Sequence, residues 1–409
     1  MANPVIKKLN EFGEGFKHHH ENYEAKSISK IRETGGVWTM GPLAFHFPEH
    51  FGFCYGVDKA IDMVFETCER FSLPAGQAGA FDRRIFMTDQ LIHNPYINGK
   101  LKEKGVHYLK RDSHNLLLCD ELVPSDVVVV SAFGTDFRDV TRLREKGVTL
   151  VDSTCGAIIN VWKRVEGYAK KGFITIMHGK RNHEETRATV SQAVKEGGAY
   201  LTIENRAEAC ELTEVILGKR KEKDFIQKYP GCAPSMDFTF DAATCKMGMA
   251  NQTTMLKGES LEIQGMLKAA FTERFGEMAT RERFKSFDTI CGATQDRQDA
   301  LRNLLKKPLD LLMIVGGFNS SNTSHLAEIA SPSAGLPFFH IEGEQDIVSA
   351  QQIHARDPKT GQAKDYENWL PKSLKNIGIT SGASTPDVTL FEVIQKICKL
   401  SDSQTALQK

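Results

Sequence analysis

At 409 residues the chain is long enough for about two to three domains. Its 52 basic and 52 acidic residues cancel to a formal net charge of 0, so it lacks the basic field of a nucleic-acid binder, and no apolar run approaches the roughly 18 residues of a membrane span. Nine cysteines, sparse for this length and odd in number, argue against a disulfide scaffold and for a reducing cytoplasm.

Residues 1–42 are polar and charged. They lack the apolar core of a signal peptide, and they carry Glu11, Glu14, Glu21 and Glu24, which a transit peptide avoids. They are read as an N-terminal extension lying on the surface. A strand-like run then begins at Leu43 and passes through Cys54 into a helix with Val57, Ile61, Val64, Phe65 and Cys68 on one face. RRIFMTDQLIHNP reads as a strand and polar turn, and DVVVVSAFGTD as an all-apolar strand buried on both sides. VTLVDSTCGAII opens a second block, continued by FITIMHGKRNHEET. Residues 204–246 are charged and turn-rich and read as an excursion over the surface. MGMANQTTM adds a short strand. A third block starts at FDTICGAT, continues through LDLLMIVGGFNSSNTSH and closes with GITSGASTPD before a final helix ending near Leu400.

The repeated β-α pattern predicts an α/β fold with three small parallel-sheet domains around a pseudo-threefold axis, spanning 43–153, 154–289 and 290–400, with a tail at 401–409. Each block is introduced by one cysteine: Cys54, Cys155 or Cys291. Each of these ends a strand-like run and opens a helix-like run, the edge where open α/β sheets bind ligands. Three thiolates brought to one centre suit an iron–sulfur cube with one open iron, because full protein ligation of a 4Fe–4S cluster takes four cysteines. Cys68 and Cys119 read as core, and Cys232 and Cys245 fall in the surface excursion. The chain contains no CxxC, which excludes zinc ribbons and ferredoxin-type clusters.

Four turns are rich in amides and hydroxyls: HGK at His178–Lys180, NQTT at Asn251–Thr254, GFNSSN at Gly317–Asn322 and TSGAST at Thr380–Thr385. Such residues also cap helices with no other role. Several on one sheet edge, backed by helix N-termini, make an anion cradle suited to a diphosphate. His93 and His183, seen alone, read as turn or capping residues, and Glu184 and Glu185 as acids at a helix start.

Taken in order, FGFCYGVDKA, IHNP, VDSTC, HEET, NQTTM, TIC, GG-NSSNTSHL and TSGASTPD resemble the motifs of 4-hydroxy-3-methylbut-2-enyl diphosphate reductases over roughly residues 43–400. The wording is closest to the cyanobacterial and plastid branch. The resemblance implies a three-domain α/β trefoil around a central 4Fe–4S cluster with one open iron, held by Cys54, Cys155 and Cys291. It implies that His93, His183, Thr253, Ser320, Ser321, Asn322 and Ser384 hold the substrate's diphosphate, and that Glu185 delivers protons, directly or through Thr253. The implied reaction removes an allylic hydroxyl as water, with two electrons and two protons, to give isopentenyl and dimethylallyl diphosphate at the end of the non-mevalonate isoprenoid pathway.

One departure stands out. The common bacterial pattern has Ser-Ala-His-Gly where this chain has Ser131-Ala132-Phe133-Gly134. Phe133 cannot donate a hydrogen bond, and Lys180 is the candidate substitute on charge and position. No G-x-G-x-x-G occurs, so the electrons are expected from an external one-electron carrier such as ferredoxin or flavodoxin. The alternative is a three-cysteine 4Fe–4S dehydratase or lyase of quinolinate-synthase type, which consumes no electrons. A carrier or sensor would not need the hydroxyl-rich turns or Glu185.

Overall fold

The structure, a computed structural model, describes residues 5–13, 15–33, 35–71, 83–331, 335–371 and 373–406. Glu14 and residues 407–409 lie outside the described residues, and residues 401–406 of the expected tail instead continue the final helix, Asp387–Ala406. The chain forms two compact units. The first is built from Met1–Glu11, Arg70–Asp89 and Val106–Cys291, the second from Phe12–Glu69, Gln90–Gly105 and Gly292–Lys409.

The first unit contains two sheets, both wholly parallel. In one the order is Val5–Ile6, Thr149–Asp152, Val127–Val130, Ile85–Met87, His107–Tyr108. Val127–Val130 is central and buried at all four positions, as its unbroken apolar run requires of a parallel strand covered on both faces. In the other sheet the order is Phe284–Ser286, Met247–Asn251, Ile174–His178, Tyr200–Ile203.

The second unit holds a seven-stranded sheet ordered Ala363–Glu367, Gln352–Arg356, Phe338–Ile341, Leu311–Val315, Asn376–Ser381, Leu43–His46, Val37–Met40. Its four central strands are parallel and its margins antiparallel. Alternation along Leu311–Val315 divides the core in two. Leu311, Met313 and Val315 pack with Ile28, Phe45, Leu390 and Ile394, while Leu312 and Ile314 pack with Leu301, Leu304 and Leu326.

The expected α/β class with three parallel-sheet modules holds, but three local expectations need correction. Leu43–His46 does not open the Cys54 block: it pairs with Asn376–Ser381, with Ala44 opposite Asn376, so the strand before Cys54 belongs to the C-terminal sheet. The N-terminal extension is not merely a surface layer. Val5–Ile6 adds an edge strand, and Ile28 and Ile31 of the amphipathic helix Lys26–Glu33 are core residues. Residues 204–246 are not an excursion either. Helices Arg206–Ile216 and Glu222–Lys228 bury Leu212, Val215, Phe225 and Ile226, and with them Cys232, against the second sheet. Cys245 is likewise partly buried against that core. Among the described residues no helix is long and apolar enough to cross a membrane.

Candidate active site

The three singled-out cysteines occupy equivalent local positions. Each immediately precedes the first residue of a helix: Tyr55–Phe71, Gly156–Ala169 and Gly292–Leu304. Each is partly exposed, and no cysteine of the chain is in a disulfide. Backbone contacts seat each turn. The Cys155 N–H donates to the carbonyl of Ala132 at 2.9 Å, that of Cys291 to Thr253 at 3.1 Å, and that of Cys54 to Ala383 at 3.3 Å. Behind Cys54, the buried guanidinium of Arg297 donates to the carbonyls of Gly52 and Phe53 at 2.6 and 3.1 Å. Three thiol-bearing turns at helix starts, outside any disulfide, are a donor set that fits an iron–sulfur cluster. Cys68 and Cys119 are buried, as expected of core thiols.

The first unit carries the acid. His178 ends the strand Ile174–His178, and the HGKRN turn delivers His183 as the cap of the helix Glu184–Lys195. The His183 Nδ1 accepts the Glu185 backbone N–H at 3.1 Å, which leaves the proton of the neutral ring on Nε2. The Phe133 ring meets the His183 ring edge-on, with centroids 5.4 Å apart and planes at 83°. The next residue, Gly134, has φ +80° and lies so close to Trp162 that a Cβ would collide with the indole. Glu185 is 1% exposed. Its Oε1 accepts the Thr253 N–H at 2.6 Å and its Oε2 accepts the Thr253 hydroxyl at 3.0 Å. Burial pushes its carboxyl up to about 7, even though the Thr253 hydrogen bonds pull the other way. The half-buried Lys180 has its backbone N–H on Gln252 Oε1 at 3.0 Å.

The second unit carries His93, Ser384 and the Ser320-Ser321-Asn322 run. His93 is 6% exposed, in a loop fixed by Asn98, whose Oδ1 accepts the Leu91 N–H and whose Nδ2 donates to the carbonyls of Ile92 and Asn94. The Asn319 amide donates to His93 Nδ1 at 3.1 Å, so this ring too keeps its neutral-state proton on Nε2. Ser384 Oγ donates to the His93 carbonyl at 3.2 Å. Gly317 abuts that same carbonyl so closely that a Cβ would clash.

The three residues of the Ser320-Ser321-Asn322 run divide their roles. Ser320 caps the helix Ser321–Ala330 by accepting the Thr323 N–H at 3.3 Å. Ser321 Oγ and Asn322 Nδ2 are buried and have no hydrogen-bond partner, while Asn322 Oδ1 is used by the Ala383 N–H at 2.9 Å. Buried donors without partners at a helix N-terminus, where the dipole favours negative charge, are the signature of an anion site. Gly317 and Asn319 entered the sequence reading only as members of the GFNSSN turn, and Arg297, six residues after Cys291, only as part of a motif, each without a role of its own.

The family model for LytB protein matches residues 46–398. The chain belongs to the LytB family. A protein of Gloeobacter violaceus named 4-hydroxy-3-methylbut-2-enyl diphosphate reductase is 40% identical over 381 residues, 92% of this chain and 88% of that one. Its namesake in Thermosynechococcus vestitus is 39% identical over 96% of this chain and 95% of its own. A solved structure of the E-1-hydroxy-2-methyl-but-2-enyl-4-diphosphate reductase from Plasmodium falciparum superposes with a TM-score of 0.60 at 21% identity, covering 86% of each chain. A second, of an (E)-4-hydroxy-3-methyl-but-2-enyl diphosphate reductase, gives 0.51 at 24% identity, covering 87% of this chain and 99% of that one. At such identities the two structures speak for the fold.

Proposed function

We propose that this enzyme reduces 4-hydroxy-3-methylbut-2-enyl diphosphate to isopentenyl and dimethylallyl diphosphate, releasing the allylic hydroxyl as water. Membership of the LytB family and the names of its relatives support the reaction. The observation that carries it at the level of side chains is Glu185: a wholly buried carboxyl, pushed up to about 7, held by the hydroxyl and N–H of Thr253.

Cys54, Cys155 and Cys291 are the proposed ligands of a 4Fe–4S cluster with one open iron. That group would supply the electrons and a Lewis-acidic iron for the departing oxygen. The chain's own residues do the rest. Burial that raises Glu185 to about 7 favours its acid form, the condition for a general acid near neutral pH. In its acid form Glu185 can donate to Thr253 Oγ1, which turns the threonine hydroxyl outward, so Thr253 serves as the relay. His93 and His183 present Nε2–H donors to the diphosphate. Ser321 Oγ, Asn322 Nδ2 and the N-terminus of the helix Ser321–Ala330 add neutral donors, with Ser384 and the cap Ser320 beside them. Neutral donors bind the diphosphate with less demand for a buried countercharge. Lys180 supplies one cation where Phe133 has no donor.

Electrons come from an external one-electron carrier such as ferredoxin or flavodoxin, and a reducing cytoplasm suits the absence of disulfides. The dehydratase alternative is disfavoured by family membership. Anaerobic protein should be assayed with the allylic diphosphate and a reduced one-electron donor, after iron and sulfide are counted. Two donor equivalents should be oxidised per diphosphate product. Product formed without donor oxidation would overturn the reading in favour of a lyase.

A further inference from the structure

The triplet His18-His19-His20 takes no part in the site above. It belongs to the N-terminal extension and lies, within the second unit, against the helix Tyr55–Phe71. That helix carries Asp58, Asp62, Glu66 and Glu69 at steps of four, four and three, which put the acids on one side. Asp62 and Glu66 are buried.

Alternate rings of the triplet diverge. His18 Nδ1 and His20 Nδ1 both approach Asp62, each at 2.9 Å. His19 turns the other way, with Nε2 3.1 Å from Glu66 and Nδ1 3.8 Å from Glu69. His19, Glu66 and Glu69 also bring one ligand atom each within 4.8 Å of one another, but here the ring spans the two carboxylates with its two different nitrogens and ties them together.

The two Nδ1 atoms and the Asp62 carboxylate lie within 4.8 Å of one another. We propose that His18, His20 and Asp62 form a binding site for a divalent transition-metal ion of the zinc class. Imidazole nitrogen with carboxylate oxygen is a donor set zinc takes, at about 2.0–2.2 Å from each ligand. Neighbouring donors around such an ion stand roughly 3.2–3.5 Å apart by tetrahedral geometry, so the observed 2.9 Å pairs need open by only a few tenths of an ångström. His20 Nδ1 is equidistant from both Asp62 oxygens, and the His20 backbone N–H donates to Asp62 Oδ1 at 2.9 Å, so the triplet is seated on this carboxylate by its main chain as well. Asp58, one turn earlier on the helix, adds a second carboxylate whose charge the ion would offset. His18 is the exposed member, its side chain 54% accessible, and gives the ion an entry from solvent. The same extension also reaches the loop before Cys54: His20, Tyr23 and Arg32 line a cavity of about 140 Å³ with Phe51, Phe53 and Asp387. The ion would therefore pin the extension to the helix that begins directly after Cys54.

The test is a zinc count per chain by equilibrium dialysis of the anaerobic, cluster-loaded enzyme, so that thiols of the cluster site do not compete. The His18→Ala/His20→Ala double variant should lose one zinc per chain. Its dissociation constant should rise by at least about 100-fold, since loss of an outer-shell partner alone can cost up to that much. The visible absorbance of the cluster should not change. Asp62→Asn should lose the same zinc, and its melting temperature in the absence of zinc reports whether it folds. His19→Ala should keep the zinc, because that ring faces Glu66 and Glu69. Zinc bound equally by the double variant and the parent, or lost equally in His19→Ala as from an indiscriminate histidine run, overturns the proposal.

Discussion

The carbonyl of Thr253 accepts the N–H of Cys291 at 3.1 Å, while the N–H and hydroxyl of Thr253 are spent on Glu185. One residue thus ties the proposed proton donor to the backbone of a proposed cluster ligand inside a single unit. The geometry has a consequence for burial as well. Thr253 satisfies both oxygens of a carboxyl that has lost water, but with one N–H and one hydroxyl rather than a cation. Its donors temper the effect of burial without cancelling it, and the carboxyl stays within reach of neutral pH.

Glu185→Gln keeps the shape and an acceptor for the Thr253 donors but removes the acid. Turnover should fall by roughly 100-fold or more, the usual scale of general-acid catalysis, while substrate still perturbs the cluster spectrum. Glu184 is at the surface side of the same helix start, with its carboxylate 3.7 Å from His183 Nδ1. Glu184→Gln should cost far less. Steady-state rates of the two variants side by side decide the matter, and near-normal turnover of the Glu185 variant would remove it from the proton path.

The pH dependence has a definite sign. Burial raises Glu185 to about 7, so the acid form is present below that value and disappears above it. The ratio kcat/KM should decline on the alkaline side of about pH 7, because it reports the free enzyme's essential acid. In Glu185→Gln that limb should be missing from the profile. Folding follows the same direction: between the ordinary carboxylate range and about 7 the native state binds the proton and the unfolded chain does not, so stability falls as pH rises through that window.

Much of this was legible in the sequence, for reasons that differ from residue to residue. Each of the three cysteines sits between an apolar or turn segment and a helical period, so its place at a helix start could be read locally. Val127–Val130 announced a central parallel strand by being apolar throughout. The partner of Leu43–His46 could not be read, because alternation tells which face a strand buries and not which sheet accepts it. The segment 204–246 misled because its charges are dense, yet Leu212, Val215, Phe225 and Cys232 still fill one core. Polar roles were the least legible. Nothing in the letters Ser-Ser-Asn says which serine caps the helix and which keeps its hydroxyl for a ligand.

That division of roles predicts a split between stability and binding. Ser320→Ala removes the cap that accepts the Thr323 N–H, and should destabilise the protein by about 1 kcal/mol. Ser321→Ala and Asn322→Ala remove donors without protein partners, Ser321 Oγ and Asn322 Nδ2. The Ser321 variant should raise the Michaelis constant by about tenfold or more, the scale of a hydrogen bond to a charged acceptor, with little change in melting temperature. A Ser321 variant that lowers the melting temperature as much as Ser320→Ala and leaves KM alone would show that both serines are structural.

Cluster ligation separates the cysteines sharply. Replacing Cys54, Cys155 or Cys291 by Ser should abolish the visible charge-transfer absorbance and the activity together. Cys68, Cys119 and Cys232 are buried among apolar side chains, and burial pushes the thiols of Cys68, Cys232 and Cys245 up to about 11, away from the thiolate a metal needs. Replacing any of these four by Ala should leave the absorbance intact. Loss of the cluster in a Cys232 or Cys245 variant would count directly against the assignment.

Phe133 has no hydrogen-bond donor on its side chain, and its ring meets His183 edge-on at 5.4 Å. That contact fixes the plane of an imidazole whose Nδ1 is already held by the Glu185 N–H. The ring therefore contributes orientation but no donor. An aromatic pair of this kind is worth about 0.5–1.5 kcal/mol, so Phe133→Leu should raise KM by roughly twofold to tenfold. Lys180 is a different case, because a charge-assisted hydrogen bond to the diphosphate is worth about 1.5–3 kcal/mol, and Lys180→Ala should raise KM about tenfold or more. Neither change touches a cluster ligand, so the visible spectrum should stay as in the parent. Measuring both variants at one pH separates the two contributions. A rise in KM confined to Phe133→Leu, with Lys180→Ala unchanged, would show that ordering of His183 and the hydroxyl and amide donors hold the diphosphate without a lysine.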